Sequence, residues 1–185
     1  GFGIGGDDIG AKRFKNQTST GLNAGDGVHV GLGLDVRNGM SDFGISISGL
    51  YQISKSTTQY VFEEHSGEAN QTFDRFVINL IPYYIFNEQF TAGFGVTYHM
   101  DVQLKSDLEH TSDTVDFGEI RGLVYQASYG LTPNINLSLQ HTKIKYETLP
   151  LLTGFNNSNG NEGSYNGVLM GANGSNTALI MTYKF

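Results

Sequence analysis

The sequence predicts an all-β fold, specifically an antiparallel, up-and-down barrel of about eight strands. Two observations predict it. Apolar residues alternate with Gly, Ser and Thr at a period of two in most segments of the 185-residue chain, whereas helical periodicity is hard to find. Short and long connections also alternate along the chain, which is the pattern of hairpins that run up and down around a ring.

The composition fits a single domain, which we expect to cover residues 1–185. With 38% hydrophobic and 16% charged residues, the chain is too polar for a helical membrane protein, and no apolar run approaches the roughly 18–20 residues of a membrane helix. The 25 Gly, 12 Phe and 10 Tyr indicate β-structure. The absence of Cys excludes disulfides and thiolate metal sites, and a net charge of -7 argues against a nucleic-acid partner.

The first strands follow from this alternation in chain order. GFGIGGDDIG (1–10) alternates only at its start and predicts a short first strand. The alternation is then regular in VHVGLGLDVR (28–37), FGISISGLYQISK (43–55) and FTAGFGVTYHMDVQLK (90–105). In the last of these segments the apolar side is predicted to continue through Val102 and Leu104.

Two further strands are less regular. RFVINLIPYYIF (75–86) is apolar on both sides, and Arg75 and Asn79 mark the more polar one. VDFGEIRGLVYQASYG (115–130) changes phase near Gly122, which predicts a β-bulge there.

The last two strands, INLSLQ (135–140) and NTALIMTYKF (176–185), complete the set. A second slip of phase is predicted after Gln140, because three basic residues would otherwise continue the apolar side. These residues are His141, Lys143 and Lys145.

The connections differ in length and chemistry. Residues 38–42, 87–89 and 131–134 carry Asn, Gly or Pro and predict tight turns. The other connections are predicted as long polar loops at residues 11–26, 56–72, 106–114 and 149–175. This order places all tight turns and both termini at one end of the barrel and all long loops at the other.

The apolar side is predicted to face lipid and the polar side to face inward. The polar side is mostly Gly, Ser and Thr, which suits a narrow interior better than a hydrated outer surface. Several strands have the length of about ten residues that spans a bilayer when tilted. The alternative is a soluble barrel that holds an apolar ligand in its core. Aromatic residues also recur near the ends of the strands, at Phe43, Phe76, Tyr84, Phe86, Phe90, Tyr129, Tyr183 and Phe185.

The C-terminal pattern Leu179, Met181, Tyr183 and Phe185 completes a resemblance that covers essentially the whole chain. The chain resembles the small eight-stranded outer-membrane β-barrels of Gram-negative bacteria, the class related to OmpA and OmpX. The resemblance implies an eight-stranded antiparallel up-and-down transmembrane β-barrel with short periplasmic turns and long extracellular loops. It also implies that the terminal strand is an assembly signal for the barrel-assembly machinery. Independently, Phe185 suits an anchor at the lipid–water interface.

Ionisable residues on the predicted inner side form the main candidate site. A charge in a low-dielectric interior must be paired, so we expect an interior network that plugs the barrel. The alternative is a gated polar passage. No catalytic, cofactor or metal set is predicted. The expected network consists of Asp35, Arg37, Arg75, His99, Asp101, Lys105, Glu119, Arg121 and Lys184, and His29 is expected to join it.

His141 raises an enzyme hypothesis. The chain is similar in size to outer-membrane lipid A deacylases, which carry a strand His with a Ser two residues later, but Lys143 occupies that position here. We therefore expect no nucleophile in the needed geometry. Lys143 and Lys145 are instead expected to contact phosphates of lipopolysaccharide, or else to extend into water.

The functional prediction is a non-enzymatic monomer in the bacterial outer membrane, with lipid and lipopolysaccharide around it. Its long loops are expected to act in adhesion, surface interaction or envelope integrity, through a host or environmental ligand. A channel for small or apolar solutes is the alternative, and a lipid A-modifying enzyme is the third hypothesis.

Overall fold

The computed structural model describes residues 1–6, 22–37, 39, 41–62, 65–108, 111–146 and 172–185. The regular structure of these residues is antiparallel β-sheet, which confirms the all-β prediction. None of the described residues forms a helix that is long and apolar enough to cross a membrane. The strands are β1 (Phe2–Ile4), β2 (Gly27–Arg37), β3 (Phe43–Phe62), β4 (His65–Ile85), β5 (Phe90–Leu108), β6 (Thr111–Asp116), β7 (Ile120–Thr132), β8 (Ile135–Lys143), β9 (Lys145–Tyr146), β10 (Ala172–Asn173) and β11 (Asn176–Tyr183).

Eight of these strands close into a barrel-like ring. Their order is β4-β3-β2-β1-β11-β8-β7-β5, and additional pairing between β4 and β5 completes the circle. The strand β6 continues the pairing with β5 beyond β7, and β9 and β10 form a separate small ladder. Because β1 has only three residues, the stretch of β2 after His29 pairs with β3 alone.

The predicted tight turns lie together at one end of the ring, which we call the turn end. In the turn after β4, the Asn87 side chain accepts hydrogen bonds from the backbone N–H groups of Gln89 (2.9 Å) and Phe90 (2.7 Å). In the turn after β7, the Thr132 hydroxyl accepts a bond of 3.0 Å from the N–H of Ile135. These bonds replace the backbone pairing that each strand loses where it reverses.

At the opposite end, the loop end, two predicted loops are instead extended hairpins. β3 and β4 remain paired as far as Phe62 and His65, so the prediction of a loop over residues 56–72 was wrong. Pairing of β5 with β6 likewise continues to Leu108 and Thr111, within the predicted loop 106–114. Thr, Tyr and Val in STTQYVF favour strands even where the surroundings are polar. Residues 7–21 and 147–171, which include most of the other two predicted loops, lie outside the described residues.

A β-bulge in β5 changes which side chains face inward. Asp101 has a positive φ of 49°, and the register between β4 and β5 shifts between Asp74 and Phe76. The extra residue reverses the alternation, so Val102 and Leu104 point into the ring and are buried. Their predicted place on the apolar outer side was therefore wrong.

The other two predicted irregularities also differ from the structure. The phase change of the sixth predicted segment lies at Gly118, whose φ is +73°, and not at Gly122. No slip follows Gln140: Gln140, Thr142 and Ile144 are buried and the residues between them are exposed. The basic side chains beyond Gln140 therefore do continue the outer face, which the sequence argument had rejected.

An apolar plug closes the inside of the ring toward the loop end. Phe73 lies at its centre, with ring-centroid distances of 5.9 Å to Phe117 and 5.7 Å to Tyr146 in edge-to-face contacts. Such buried aromatic pairs add stability beyond the area they bury. The apolar plug consists of Leu22, Ala24, Phe73, Val102, Leu104, Phe117, Ile144 and Tyr146.

The bulge gives a first testable prediction. Asp101→Val should lower the free energy of unfolding by about 1–2 kcal/mol, because a β-branched residue fits poorly at positive φ. Asp101→Gly should not destabilise the protein, because Gly adopts this conformation freely. Urea unfolding followed by circular dichroism measures both changes. The matched control is Gln103→Val, two residues further along the same strand, and an equal loss of stability in both Val variants would contradict the prediction.

Candidate functional site

The outer surface of the ring is apolar to an unusual degree. Leu32 is 83% exposed, Met181 70% and Val30 67%, and comparable side chains follow around the whole ring. A soluble monomer rarely exposes a continuous apolar surface of this extent. We call this surface the apolar belt, and it comprises Phe2, Ile4, Val28, Val30, Leu32, Leu34, Val36, Phe43, Ile45, Ile47, Phe76, Ile78, Leu80, Tyr84, Phe86, Phe90, Phe94, Val96, Leu123, Tyr125, Tyr129, Leu131, Leu139, Leu179, Met181, Tyr183 and Phe185.

Aromatic side chains border the apolar belt at the turn end. Tyr84 stacks edge-to-face with Phe43 at 5.0 Å and with Phe86 at 4.9 Å between ring centroids. Tyr183 and Phe185, at the C-terminus, make a similar contact at 5.2 Å. Rings with an apolar body and a polar rim are typical of the boundary between hydrocarbon and water.

A second aromatic border lies toward the loop end, where polar groups begin. The rings of Tyr51 and Phe76 are 5.6 Å apart, and the Tyr51 hydroxyl donates a 2.9 Å hydrogen bond to Asp74. The Tyr98 hydroxyl donates in the same way to Glu119. The ten residue steps from Phe76 on β4 to Phe86, one residue past its end, extend for about 34 Å, or about 26 Å along the axis at a typical strand tilt.

The inner surface is mostly polar over the same height, with Val77, Ile81 and Val124 among its apolar exceptions. Asn79 and Thr97 are paired on neighbouring strands and buried, while the belt residues beside them in sequence point outward. This distribution is the reverse of a soluble barrel, whose apolar side chains would fill the interior. The buried polar side chains are His29, Gln52, Ser54, Gln71, Arg75, Asn79, Thr97, His99, Ser128, Ser138, Gln140, Thr142 and Asn176.

Arg75 is the largest side chain that is fully buried, with 1% of its surface exposed. Its Nε donates a 3.0 Å hydrogen bond to Oε1 of Gln52, and its Nη1 donates to the carbonyl of Ala24. The guanidinium carbon lies 4.8 Å from the ring centroid of Phe73 and 5.5 Å from that of Tyr146. The arginine therefore joins the apolar plug to the polar layer beneath it.

Two histidines lie close to this arginine. Nδ1 of His99 is 2.8 Å from the hydroxyl of Tyr146. The charge of Arg75 acts on the imidazoles of both His29 and His99. The sequence had indicated that His29 and His99 share the inner side, but it gave no sign that Tyr146 lies with them.

The segment before β2 folds into the ring and was missed by sequence reasoning. The carbonyl of Gly25 accepts hydrogen bonds from Gln52 (3.3 Å) and Asn176 (3.0 Å), two buried amide side chains. The Asp26 carboxylate accepts one from the N–H of Gly5 at 2.8 Å. Leu22–Asp26 (LNAGD) has mostly the composition of a polar turn. Its only sequence signals for this role were the apolar residues Leu22 and Ala24, both of which are buried in the structure.

The predicted interior network is divided between two places. Arg75 and His99 are buried at the plug, as expected. Asp35, Arg37 and Lys184 lie on the inner side near the turn end, where they remain exposed. Asp35 and Lys184 form an ion pair of 3.8 Å.

Four predicted members of the network lie on the outer surface, so their inward placement was wrong. Asp101 is exposed at the bulge, and beyond it Lys105 forms an ion pair of 3.5 Å with Asp74. The guanidinium of Arg121 lies over the outward ring of Tyr98, which also binds Glu119. The irregularities at Asp101 and Gly118 reversed the alternation on which the prediction depended. The four residues are Asp101, Lys105, Glu119 and Arg121.

The basic residues after β8 line an open groove on the outer face. The cavity, with a volume of about 540 Å³, is lined by Arg121, Lys143 and Lys145 together with Leu123 and Ser175 among other residues. The groove therefore combines three basic side chains with Leu123 of the apolar belt.

His141 lies one step below this groove on the outer face. Its Nδ1 is 3.0 Å from the hydroxyl of Thr177, the residue opposite it on β11, and its ring packs 6.3 Å from that of Tyr125. Among the described residues no carboxylate forms an ion pair with His141. The geometry brings a hydroxyl to the imidazole but no acidic group that would orient it.

Comparisons with known proteins leave the family open: no family model matches the sequence, and no curated protein or solved structure matches it. The features that bear on function are therefore those of the chain itself, namely its apolar outer belt, its mostly polar interior and the groove between Arg121 and Lys145.

Proposed function

We propose that the chain is an outer-membrane β-barrel that lies in lipid through its apolar belt and has no catalytic activity. The observation that carries the proposal is the inverted distribution of side chains, apolar outside and polar inside. Burying a Leu, Ile or Phe side chain gains about 1.5–3 kcal/mol, so transfer of the belt into hydrocarbon is favourable by tens of kcal/mol. The closed ring of strands supports the proposal further, because most backbone polar groups are then paired before they meet lipid.

The biological role then belongs to the groups outside the hydrocarbon. Adhesion, surface interaction or envelope integrity would act through the loop end, and its longest segments are among the residues that the structure does not describe. The proposal of a surface role is supported by the apolar plug, since Phe73, Val102 and Leu104 fill the interior where a solute would have to pass. The channel hypothesis needs this plug to move.

The lipid A-modifying hypothesis has less support. His141 has a hydroxyl partner in Thr177, but Lys143 stands where the deacylases carry Ser. A threonine–histidine pair without an orienting acid is a weak nucleophilic system. The pair is an ordinary cross-strand hydrogen bond at the border of the belt.

The orientation of β3 in lipid is directly testable, because the chain has no Cys. Single cysteines at Ile45 and Ile47 should be shielded from a water-soluble maleimide in reconstituted vesicles, since both side chains belong to the apolar belt. Bimane attached there with a lipid-soluble reagent should be quenched by nitroxide-labelled lipid.

The matched controls are Ser46→Cys and Ser48→Cys, which alternate with the test positions on the inner side of β3. These cysteines should react with the water-soluble reagent and escape quenching by lipid. Rapid reaction at all four positions, in protein that stays monomeric in plain buffer, would contradict the membrane proposal.

We further propose that the basic groove holds phosphate groups of the surrounding lipid, with lipopolysaccharide as the source. No carboxylate among the described residues forms an ion pair with Arg121, Lys143 or Lys145, and this supports a contact with an external anion. Their position beside Leu123 places them at head-group level if the belt lies in hydrocarbon. Each basic residue near an anionic surface contributes about 1 kcal/mol.

A lipid titration tests this contact. Adding lipopolysaccharide to the protein in a nonionic detergent should raise the unfolding temperature, and Lys143→Gln should weaken apparent binding about fivefold, which corresponds to about 1 kcal/mol. Lys55→Gln, which removes an exposed lysine outside the groove, is the control and should bind like the wild type. Equal effects of the two substitutions would show that the groove has no special role.

A further inference from the structure

Arg75 carries a buried positive charge that no carboxylate among the described residues balances. The ion pairs among the described residues are Lys105–Asp74 and Lys184–Asp35, and neither includes Arg75. The contacts of Arg75 are an amide oxygen, a carbonyl, the hydroxyl and ring of Tyr146 and the ring of Phe73, all of them neutral. A buried charge with only neutral partners costs several kcal/mol, and arginine cannot relieve the cost by losing its proton.

Three buried nitrogen atoms in this part of the interior lack hydrogen-bond partners among the described residues. They are Nη2 of Arg75, Nε2 of His29 and Nε2 of His99, and the acceptor oxygens of Gln71 and Asn79 lack partners as well. The exposed fractions of the three nitrogen-bearing side chains are 1%, 7% and 2% respectively. Burial without a partner costs a polar group about 1–3 kcal/mol, so water or an ion is expected to pair with these atoms.

The protonation of these nitrogens suits a negative ligand. Nη2 of Arg75 can only donate. The hydroxyl of Tyr146 bonds to Nδ1 of His99, and when the phenol donates, the proton of the neutral imidazole remains on Nε2. Thr97, two residues before His99 and on the same inner side, adds a hydroxyl that also lacks a partner.

Water alone would satisfy the hydrogen bonds but would leave the charge uncompensated. A metal cation is disfavoured for the same reason, because it would add to the charge of Arg75 in a low-dielectric site. An anion does both: it accepts from the free N–H groups and neutralises the guanidinium. The surroundings favour a small one, since the apolar plug lies directly above and the strands of the ring surround the site.

We propose that the inner layer beneath the apolar plug is an anion site, in which Nη2 of Arg75 and the Nε2 atoms of His29 and His99 hold a small monovalent anion of the halide class. Nothing in this assignment requires lipid around the protein. The anion site can therefore be tested independently of the proposed membrane function. The role of the anion is to neutralise Arg75, the one fully buried cation among the described residues, directly beneath the plug.

Chloride is the probe for the test. The purified full chain, in a nonionic detergent, is unfolded by heat at constant ionic strength while chloride replaces gluconate. With a dissociation constant of about 10 mM, about 100 mM chloride should lower the equilibrium constant of unfolding roughly tenfold, in a saturable way. Arg75→Met should abolish this dependence. The control is Lys184→Met, which removes an inner-side cation at the turn end and should keep the full effect.

Chloride-35 relaxation provides a direct readout. The wild type should broaden the chloride-35 resonance, bromide should compete for the same site, and Arg75→Met should not broaden it. If Arg75→Met fails to fold, His29→Leu takes its place and should weaken chloride binding severalfold. A chloride dependence that is the same in the wild type and in these variants, or no broadening by the wild type, would overturn the proposal and leave water as the partner of the three nitrogens.

Discussion

Closure of the ring is the constraint on which the other features depend. β4 pairs with β5, and β1 joins β2 to β11, so the eight strands return to their starting point. Once the ring is closed, period-two alternation allows only an outer and an inner set of side chains. The outer set is the apolar belt, and the inner set below the apolar plug is mostly polar. Closure therefore also determines where a hydrophobic partner and where water or ions can meet the protein.

One inserted residue, Asp101, divides the interior into an apolar part and a mostly polar part. The bulge at Asp101 turns Val102 and Leu104 inward, where they meet Phe73, Phe117 and the turn that carries Ala24. Without the insertion, these two side chains would extend the outer surface beyond the aromatic border. The insertion at Asp101 therefore adds two side chains to the apolar plug and also limits how far the apolar belt extends along β5.

Alternation was enough to predict the ring of eight strands, the tight turns and the inward position of Arg75 and His99. It failed wherever a strand changed phase, because a period of two does not reveal which residue is skipped. Asp101 and Gly118 are such points, and the mistaken placement of Lys105 and Arg121 follows from them. The role of Ala24 could not be predicted for a different reason: a turn folded into a ring makes its contacts with residues that are remote in sequence, such as Gln52 and Asn176.

The two ends of the interior differ in how much free energy a charged side chain costs there. Near the turn end, Asp35 and Lys184 remain 41% and 45% exposed, so water screens their attraction and the pair contributes little. Beneath the plug, Arg75 has lost its water, and the same unit of charge is far more costly. A passage for ions would need charged groups of comparable exposure along its length, and the described charges at the two ends differ in this respect. The contrast supports the proposal of an interior that seals the ring, with surface interactions at the loop end and the basic groove.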